Sequence, residues 1–250
     1  MICKKSFGDT KFIPRLSKEQ FVQAFSSQPK AKEIVQQVVD KIYATEEGQL
    51  LLGYTDKGHI SAYYPGKPTS EADINAVQRV LEQHNVSPLN TRLAKEGDKK
   101  FTLLVASAEK TPSRVLSGNG LEVTVQYGDY ADAMQRICDE LALALPHVAN
   151  EHQKTMVEHY ITSFKNGSIE SHRDSQRAWI KDKGPNVESN IGFIETYRDP
   201  AGIRAEWEGF VSMVNKERTK VFGEMVRTAP EFIPLLPWSF FQVLPSAFNV

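Results

Sequence analysis

Cysteine is scarce here: Cys3 and Cys138 are the only two among 250 residues. A pair so far apart in a chain of this size is no disulfide framework of the kind that staples small secreted domains. Long apolar runs are missing as well. No stretch reaches the roughly eighteen consecutive apolar residues of a membrane-spanning helix, so no membrane partner is expected. The opening MICKKSFGDT has lysines without an apolar core behind them and does not read as a secretory leader. Charge of one sign is not in excess, with 30 Lys and Arg against 31 Asp and Glu, which speaks against nucleic acid as a partner. There is no glycine-rich phosphate loop, no internal repeat and no low-complexity linker. What these absences leave is an ordinary globular chain of the cytoplasm.

The patterns that are present alternate between helical and strand periods. Ser17-Lys18-Glu19-Gln20 has the form of a helix capping box, with a short helix expected to about Phe25. Pro29 suits the first turn of a second helix, whose stripe is Ile34, Val35, Val38 and Ile42. Leu50 to Tyr54 and His59 to Tyr64 flank Thr55-Asp56-Lys57-Gly58 and read as a hairpin. A helix begins at Pro68-Thr69-Ser70 with Ile74, Val77 and Leu81 on one face. Asn90 to Lys95 and Lys100 to Ala108 predict a second hairpin around Glu96-Gly97-Asp98. A polar loop, Glu109 to Gly120, then leads to a strand over Leu121 to Gln126.

From Asp129, read as an N-cap, the period turns helical. Three helices are expected: one ended by Pro146, one from about Asn150 to Lys165 closed by Asn166-Gly167, and one capped by Ser168 and running to about Trp179. A long helix is expected over Ile203 to Arg227, with Trp207, Phe210, Val211, Val214, Val221 and Met225 on one side. The fold class is therefore α+β: about six short strands in a small bent sheet or barrel-like core, packed with several helices. Residues 1–230 are expected to form one lobe. Residues 231–250 are expected to form a tail suited to being covered by further chain: Pro230, Pro234, Pro237 and Pro245 interrupt Phe232, Leu235, Leu236, Trp238, Phe240, Phe241, Val243, Leu244 and Phe248.

The stretch that carries chemistry is Trp179 to Gly202, WIKDKGPNVESNIGFIETYRDPAG. Val187 to Tyr197 favours a strand, bounded by Gly184-Pro185 and by the turn residues Asp199-Pro200-Ala201-Gly202. Side chains alternate across a strand. One face is Val187, Ser189, Ile191, Phe193, Glu195 and Tyr197, suited to a core. The other holds Glu188, Asn190, Gly192, Ile194 and Thr196. On spacing alone that second face reads first as the solvated side of an edge strand. The other reading is a cleft wall, with a carboxylate, an amide and a glycine that lets another backbone come close.

The wording of the longer segment GSIESHRDSQRAWIKDKGPNVESNIGFIETYRDPAG resembles the dipeptidyl peptidase III family of zinc aminopeptidases. So does that of FGDTKF (Phe7 to Phe12), NTRLAKE (Asn90 to Glu96) and WEGFVSMVNK (Trp207 to Lys216). The resemblance runs almost continuously from about Phe7 to Trp238. It implies much of the substrate-holding lobe of an enzyme that releases N-terminal dipeptides from oligopeptides. It also implies that Glu188 anchors the free amino group of the peptide partner, beside Asn190 and Gly192. Where the family usually has a transition-state tyrosine, this chain has Asn190.

The family's zinc is held by a His-Glu-x-x-Gly-His helix and a later glutamate. None of the six histidines here is followed by glutamate, so the motif is absent and no catalytic residue or bound zinc is assigned to this chain. His152 and His159 share a helix face but stand two turns, about 10 Å, apart and read as structural. His172, next to Arg173, is expected to face water. The chain thus reads as part of a dipeptidyl peptidase III, inactive on its own, with a non-catalytic peptide-binding module as the alternative.

Overall fold

The computed structural model describes residues 12–46 and 50–236. Expectations about Cys3, Phe7 to Lys11 and the tail from Pro237 onward lie outside these residues. The described chain forms two compact units. The first holds the described residues up to Lys183 together with Ile191–Gly209. The second holds Gly184–Asn190 and the described residues from Phe210 on.

The class is α+β, with two small sheets of four and two strands and no closed barrel among the described residues. In the first unit, α1 (Lys18–Gln23) opens with both arms of the capping box between Ser17 and Gln20. In α2 (Pro29–Tyr43), Val35 and Val39 are the buried pair. Ile34 and Val38 of the expected stripe are exposed, so the inward face is rotated from the one the apolar spacing suggests. Ser70 caps α3 (Glu71–Gln83), which buries Ile74, Val77, Val80 and Leu81.

These side chains cover a sheet of β1 (Thr91–Gly97), β2 (Lys100–Ala106), β3 (Arg114–Gly118) and β4 (Leu121–Asp129), in the order β1-β2-β4-β3. β1–β2 and β3–β4 pair antiparallel, and β2 runs parallel to β4. Phe101, Leu103 and Val105 alternate inward on β2, as Val123 and Val125 do on β4, which is the two-residue period of a half-covered sheet. Replacing a side chain in this layer by alanine leaves a cavity. Leu103→Ala is expected to cost about 2–5 kcal/mol, read as a lowered urea midpoint with an unchanged slope.

Three helices form the second core: α4 (Ala131–Ala144), α5 (Glu151–Asn166) and α6 (Ile169–Trp179). Met134, Cys138, Met156, Val157, Tyr160, Phe164 and Ala178 are buried between them. Asn150 and Ser168 cap α5 and α6, and Gly167 closes α5 at φ 76.

Several local expectations are corrected. Asp129 does not cap α4. Its carboxylate is forked by Arg92 at 2.7 and 2.6 Å, and Tyr130 stands at the cap in the left-handed region instead. The segment expected to be a loop before Gly120 contains β3, because its backbone completes the sheet edge beside β4. Around Thr55–Lys57 a 3-10 turn forms, ended by Gly58 at φ 78, and only a single bridge, Leu52 to Ile60, joins its arms.

The largest correction concerns Ile203 to Arg227. Glu206–Met213 is a strand, β6, paired with β5 (Val187–Glu195), and the helix α7 starts only at Lys216 and ends at Phe232. Trp207, Phe210, Val211 and Val214 happen to have helical spacing. Glu206-Trp207-Glu208 equally has a period of two, and pairing with β5 across the connection 196–205 decides between them.

In the second unit, Val214 N–H donates to the Asn186 carbonyl at 2.9 Å, and Asn215 caps α7 by accepting from Arg218 N–H. α7 has no buried residue. Val221, Phe222, Met225 and Val226 are all exposed.

Candidate functional site

The strand β5 carries the three residues singled out from the sequence. Glu188 and Asn190 belong to the second unit and are half-buried. Glu188 has no ion-pair partner among the described residues. Gly192 belongs to the first unit and is buried. Glu188 and Asn190 point to one side of the strand by alternation.

The group that approaches Gly192 is an imidazole rather than another backbone. A Cβ placed there would stand 2.6 Å from His172 Cε1. The His172 ring is thus packed on β5, with the Tyr160 ring 6.2 Å away, and does not face water as the neighbouring Arg173 suggested. Arg173 points elsewhere and pairs with Glu170. Gly192→Ala is expected to overpack this contact by about 1–3 kcal/mol, measured as a lowered unfolding midpoint.

Burial holds the His172 imidazole below its ordinary value of 6.5. A histidine kept neutral in the fold takes up its proton more readily when unfolded. Its contribution is therefore complete above pH 6.5 and is lost as the pH falls below that value. We expect the melting temperature to fall more steeply below pH 6.5 in this chain than in His172→Asn, as parallel melts from pH 8 to pH 5 would show.

On the other side of the strand, Ile191 and Phe193 pack against the helical core. Trp207 of β6 meets Phe193 edge-on at 5.7 Å and Phe164 at 5.2 Å. Val187 and Tyr197, expected on the same inward face, are exposed.

Beyond β5 the turn is fixed by a buried network that the sequence reading did not single out. Asp199 is 4% exposed and Arg204 is 1% exposed. The Asp199 carboxylate accepts from the backbone N–H groups of Ala201, Ile203 and Arg204 at 2.8–3.1 Å. It also accepts from the Tyr64 hydroxyl at 2.5 Å. Arg204 in turn donates to that hydroxyl at 3.4 Å and lies over the Tyr64 ring. Burial pushes the Tyr64 phenol well above its ordinary value; Arg204 opposes that rise and Asp199 adds to it. The signal available in the sequence was Asp-Pro-x-Gly, since an aspartate opening a turn bonds the N–H groups that follow it.

Among the described residues no group of three or more His, Cys, Asp or Glu side chains could hold a metal ion. His152 is exposed and His159 half-buried. The described residues do not fit a zinc site. No described helix is long and apolar enough to cross a membrane.

Similarity to known proteins agrees with the strand's wording. Residues 34–243 match peptidase family M49, and the chain belongs to that family. Dipeptidyl peptidase 3 of Dictyostelium discoideum is 45% identical over 236 residues, covering 93% of this chain and 34% of that protein. The human dipeptidyl peptidase 3 is 38% identical over 255 residues, covering 94% and 34%. The chain thus spans about a third of the length of these curated relatives. A solved structure, DPP III from Caldithrix abyssi, aligns over 88% of this chain and 38% of its own at 18% identity, with a TM-score of 0.46.

Proposed function

We propose that this chain is the peptide-holding part of a cytoplasmic dipeptidyl peptidase III. The whole enzyme would release N-terminal dipeptides from oligopeptides by zinc-assisted hydrolysis, and Glu188 would receive the peptide's free amino group. The observation that carries this is Glu188 itself: a half-buried carboxylate on β5 without a basic side chain in ion-pairing distance among the described residues. A carboxylate so placed is suited to an ammonium group, whose charge-assisted hydrogen bonds are the strong kind. Family membership and the continuous match around this strand support the same reading.

Asn190 occupies the position of the family's transition-state tyrosine. Its amide is a donor with a shorter reach than a phenol, so it would assist a reaction less. Gly192 would serve by letting β5 sit close on His172. Zinc would be brought by the remainder of the longer protein. This chain alone is accordingly expected to carry well under one equivalent of zinc and to release no naphthylamine from a dipeptidyl naphthylamide. Stoichiometric zinc that survives dialysis against a weak chelator would contradict that.

The binding role is tested by titration calorimetry. A pentapeptide with a free N-terminus should bind about tenfold or more tightly than its N-acetylated twin, the worth of a hydrogen bond to a charged group. Equal affinities would remove the anchor role from Glu188.

A further inference from the structure

A second place in the first unit carries chemistry and does not depend on the reading of Glu188. Among the serines and threonines of the chain, only Ser87 and Thr111 stand directly before a proline. The structure treats the two differently.

Ser87 is half-buried. The carbonyl of Pro88 accepts from the Thr91 N–H at 3.1 Å and from the Thr91 hydroxyl at 2.7 Å. Asn90, three residues after Ser87, is 5% exposed. That segment is folded into the start of β1.

Thr111 lies in the connection between β2 and β3, where every residue from Glu109 to Val115 is exposed. The connection is fastened at both ends. Glu109 N–H donates to the Lys165 carbonyl at 2.8 Å, and its carboxylate pairs with the Lys165 ammonium at 3.4 Å. Arg114 opens β3 in register with Val125. Between these points, Lys110 to Ser113 belong to no helix, strand or turn. The Thr111 hydroxyl has no hydrogen-bond partner among the described residues.

The order Thr111-Pro112-Ser113-Arg114 selects a reaction for this hydroxyl. A residue before proline is kept out of the helical region and in extended backbone, the form in which a kinase cleft takes its substrate. Pro112 has no N–H. A cleft without an acceptor at that position admits it, whereas any other residue would bury an unpaired donor there. The Arg114 guanidinium is exposed and makes no ion pair among the described residues, so it is free to meet an anionic group of the enzyme. Charge patterns of this kind are how kinases choose substrates. Arg114 also lies on an edge strand, since β3 pairs with β4 alone.

We propose that Thr111 is a phosphorylation site for a proline-directed serine/threonine kinase that reads a basic residue three positions on. The Thr111 hydroxyl oxygen bonds to the γ-phosphorus of ATP as the bond from that phosphorus to the oxygen of ADP breaks. The hydroxyl proton passes to the catalytic aspartate of the kinase and from there to water. The phosphothreonine carries close to two negative charges at pH 7, which cancel those of Lys110 and Arg114 beside it.

The 250-residue chain is incubated with ATP and a cyclin-dependent kinase bound to its cyclin, and phosphate is located by peptide mass spectrometry. One phosphate is expected, on Thr111, at a rate within a few-fold of that for a free peptide spanning 107–117. Thr111→Ala should abolish incorporation and Thr111→Ser should keep it. Pro112→Ala should slow it about tenfold or more, Arg114→Gln should slow it several-fold, and Ser87→Ala should leave it unchanged. Thermal melts of the three connection variants should match that of the unaltered chain, which separates loss of the signal from loss of the fold. A free peptide that is phosphorylated while the folded chain is not would overturn the proposal. So would no incorporation in either, phosphate on Ser87 in place of Thr111, or a rate unmoved by Pro112→Ala or by Arg114→Gln.

Discussion

Asp199→Ala is expected to destabilise the first unit by about 3–5 kcal/mol, because one buried carboxylate that satisfies several buried donors at once is removed. The expectation follows from what the substitution leaves behind. Three backbone N–H groups and the Tyr64 hydroxyl lose their acceptor. The Arg204 guanidinium, 1% exposed, keeps its positive charge with no counter-charge linked to it through Tyr64. An unsatisfied buried polar group alone costs about 1–3 kcal/mol, and here several are created together. At roughly 2–4 °C per kcal/mol for a unit of this size, the midpoint should fall by on the order of 10 °C. Asp199→Asn, which keeps one acceptor oxygen, should lose less. Thermal melts followed by circular dichroism decide the matter: an Asp199→Ala shift of a degree or two would mean that the turn is held by something else.

The second large effect concerns the surface of the second unit. Val221, Phe222, Met225 and Val226 are exposed on α7, and Met213 at the end of β6 is 80% exposed. Contiguous apolar surface of this kind drives association in soluble chains. The 250-residue chain is therefore expected to bind a hydrophobic dye strongly and to self-associate as its concentration rises. Replacing Val221 with Glu and Met225 with Lys should reduce both by several-fold. Because α7 buries no residue, the same double substitution should leave the melting temperature within about half a kcal/mol equivalent, as for surface changes generally. A monomer at high concentration that binds no dye would contradict this.

Helix positions were legible wherever a stop or start signal coincided with a stripe. Ser17 with Gln20, Pro29, Ser70, Asn150 and Ser168 each mark a helix start. The β1–β2 hairpin was legible because strand residues flank a turn of the right length. What failed did so where distant partners decide. Glu206–Met213 has apolar residues at helical spacing, and only the pairing with β5 makes it a strand. β3 is too short and polar to announce itself, and it exists because β4 offers an edge. Tyr130 rather than Asp129 stands at the start of α4 because Arg92, thirty-seven residues before Asp129, claims that carboxylate.

The candidate site was legible to a different extent. Glu188, Asn190 and Gly192 were singled out by alternation and wording, and the strand is where that reading put it. The imidazole under Gly192 was not legible, since nothing in the spacing of 172 and 192 brings α6 to β5. The same holds for the Tyr64–Asp199–Arg204 network, whose members come from segments more than 130 residues apart. Burial of a charge is a property of the assembled fold, and no local pattern records it.

The most direct measurement of the central claim is a cycle in which Glu188→Gln is crossed with N-acetylation of the peptide, each corner titrated by calorimetry. If Glu188 receives the free amino group, the two changes remove the same interaction, and their coupling should be about 1.5–3 kcal/mol. If acetylation weakens binding equally in both chains, so that the coupling is near zero, the amino group is held elsewhere and Glu188 is not its anchor.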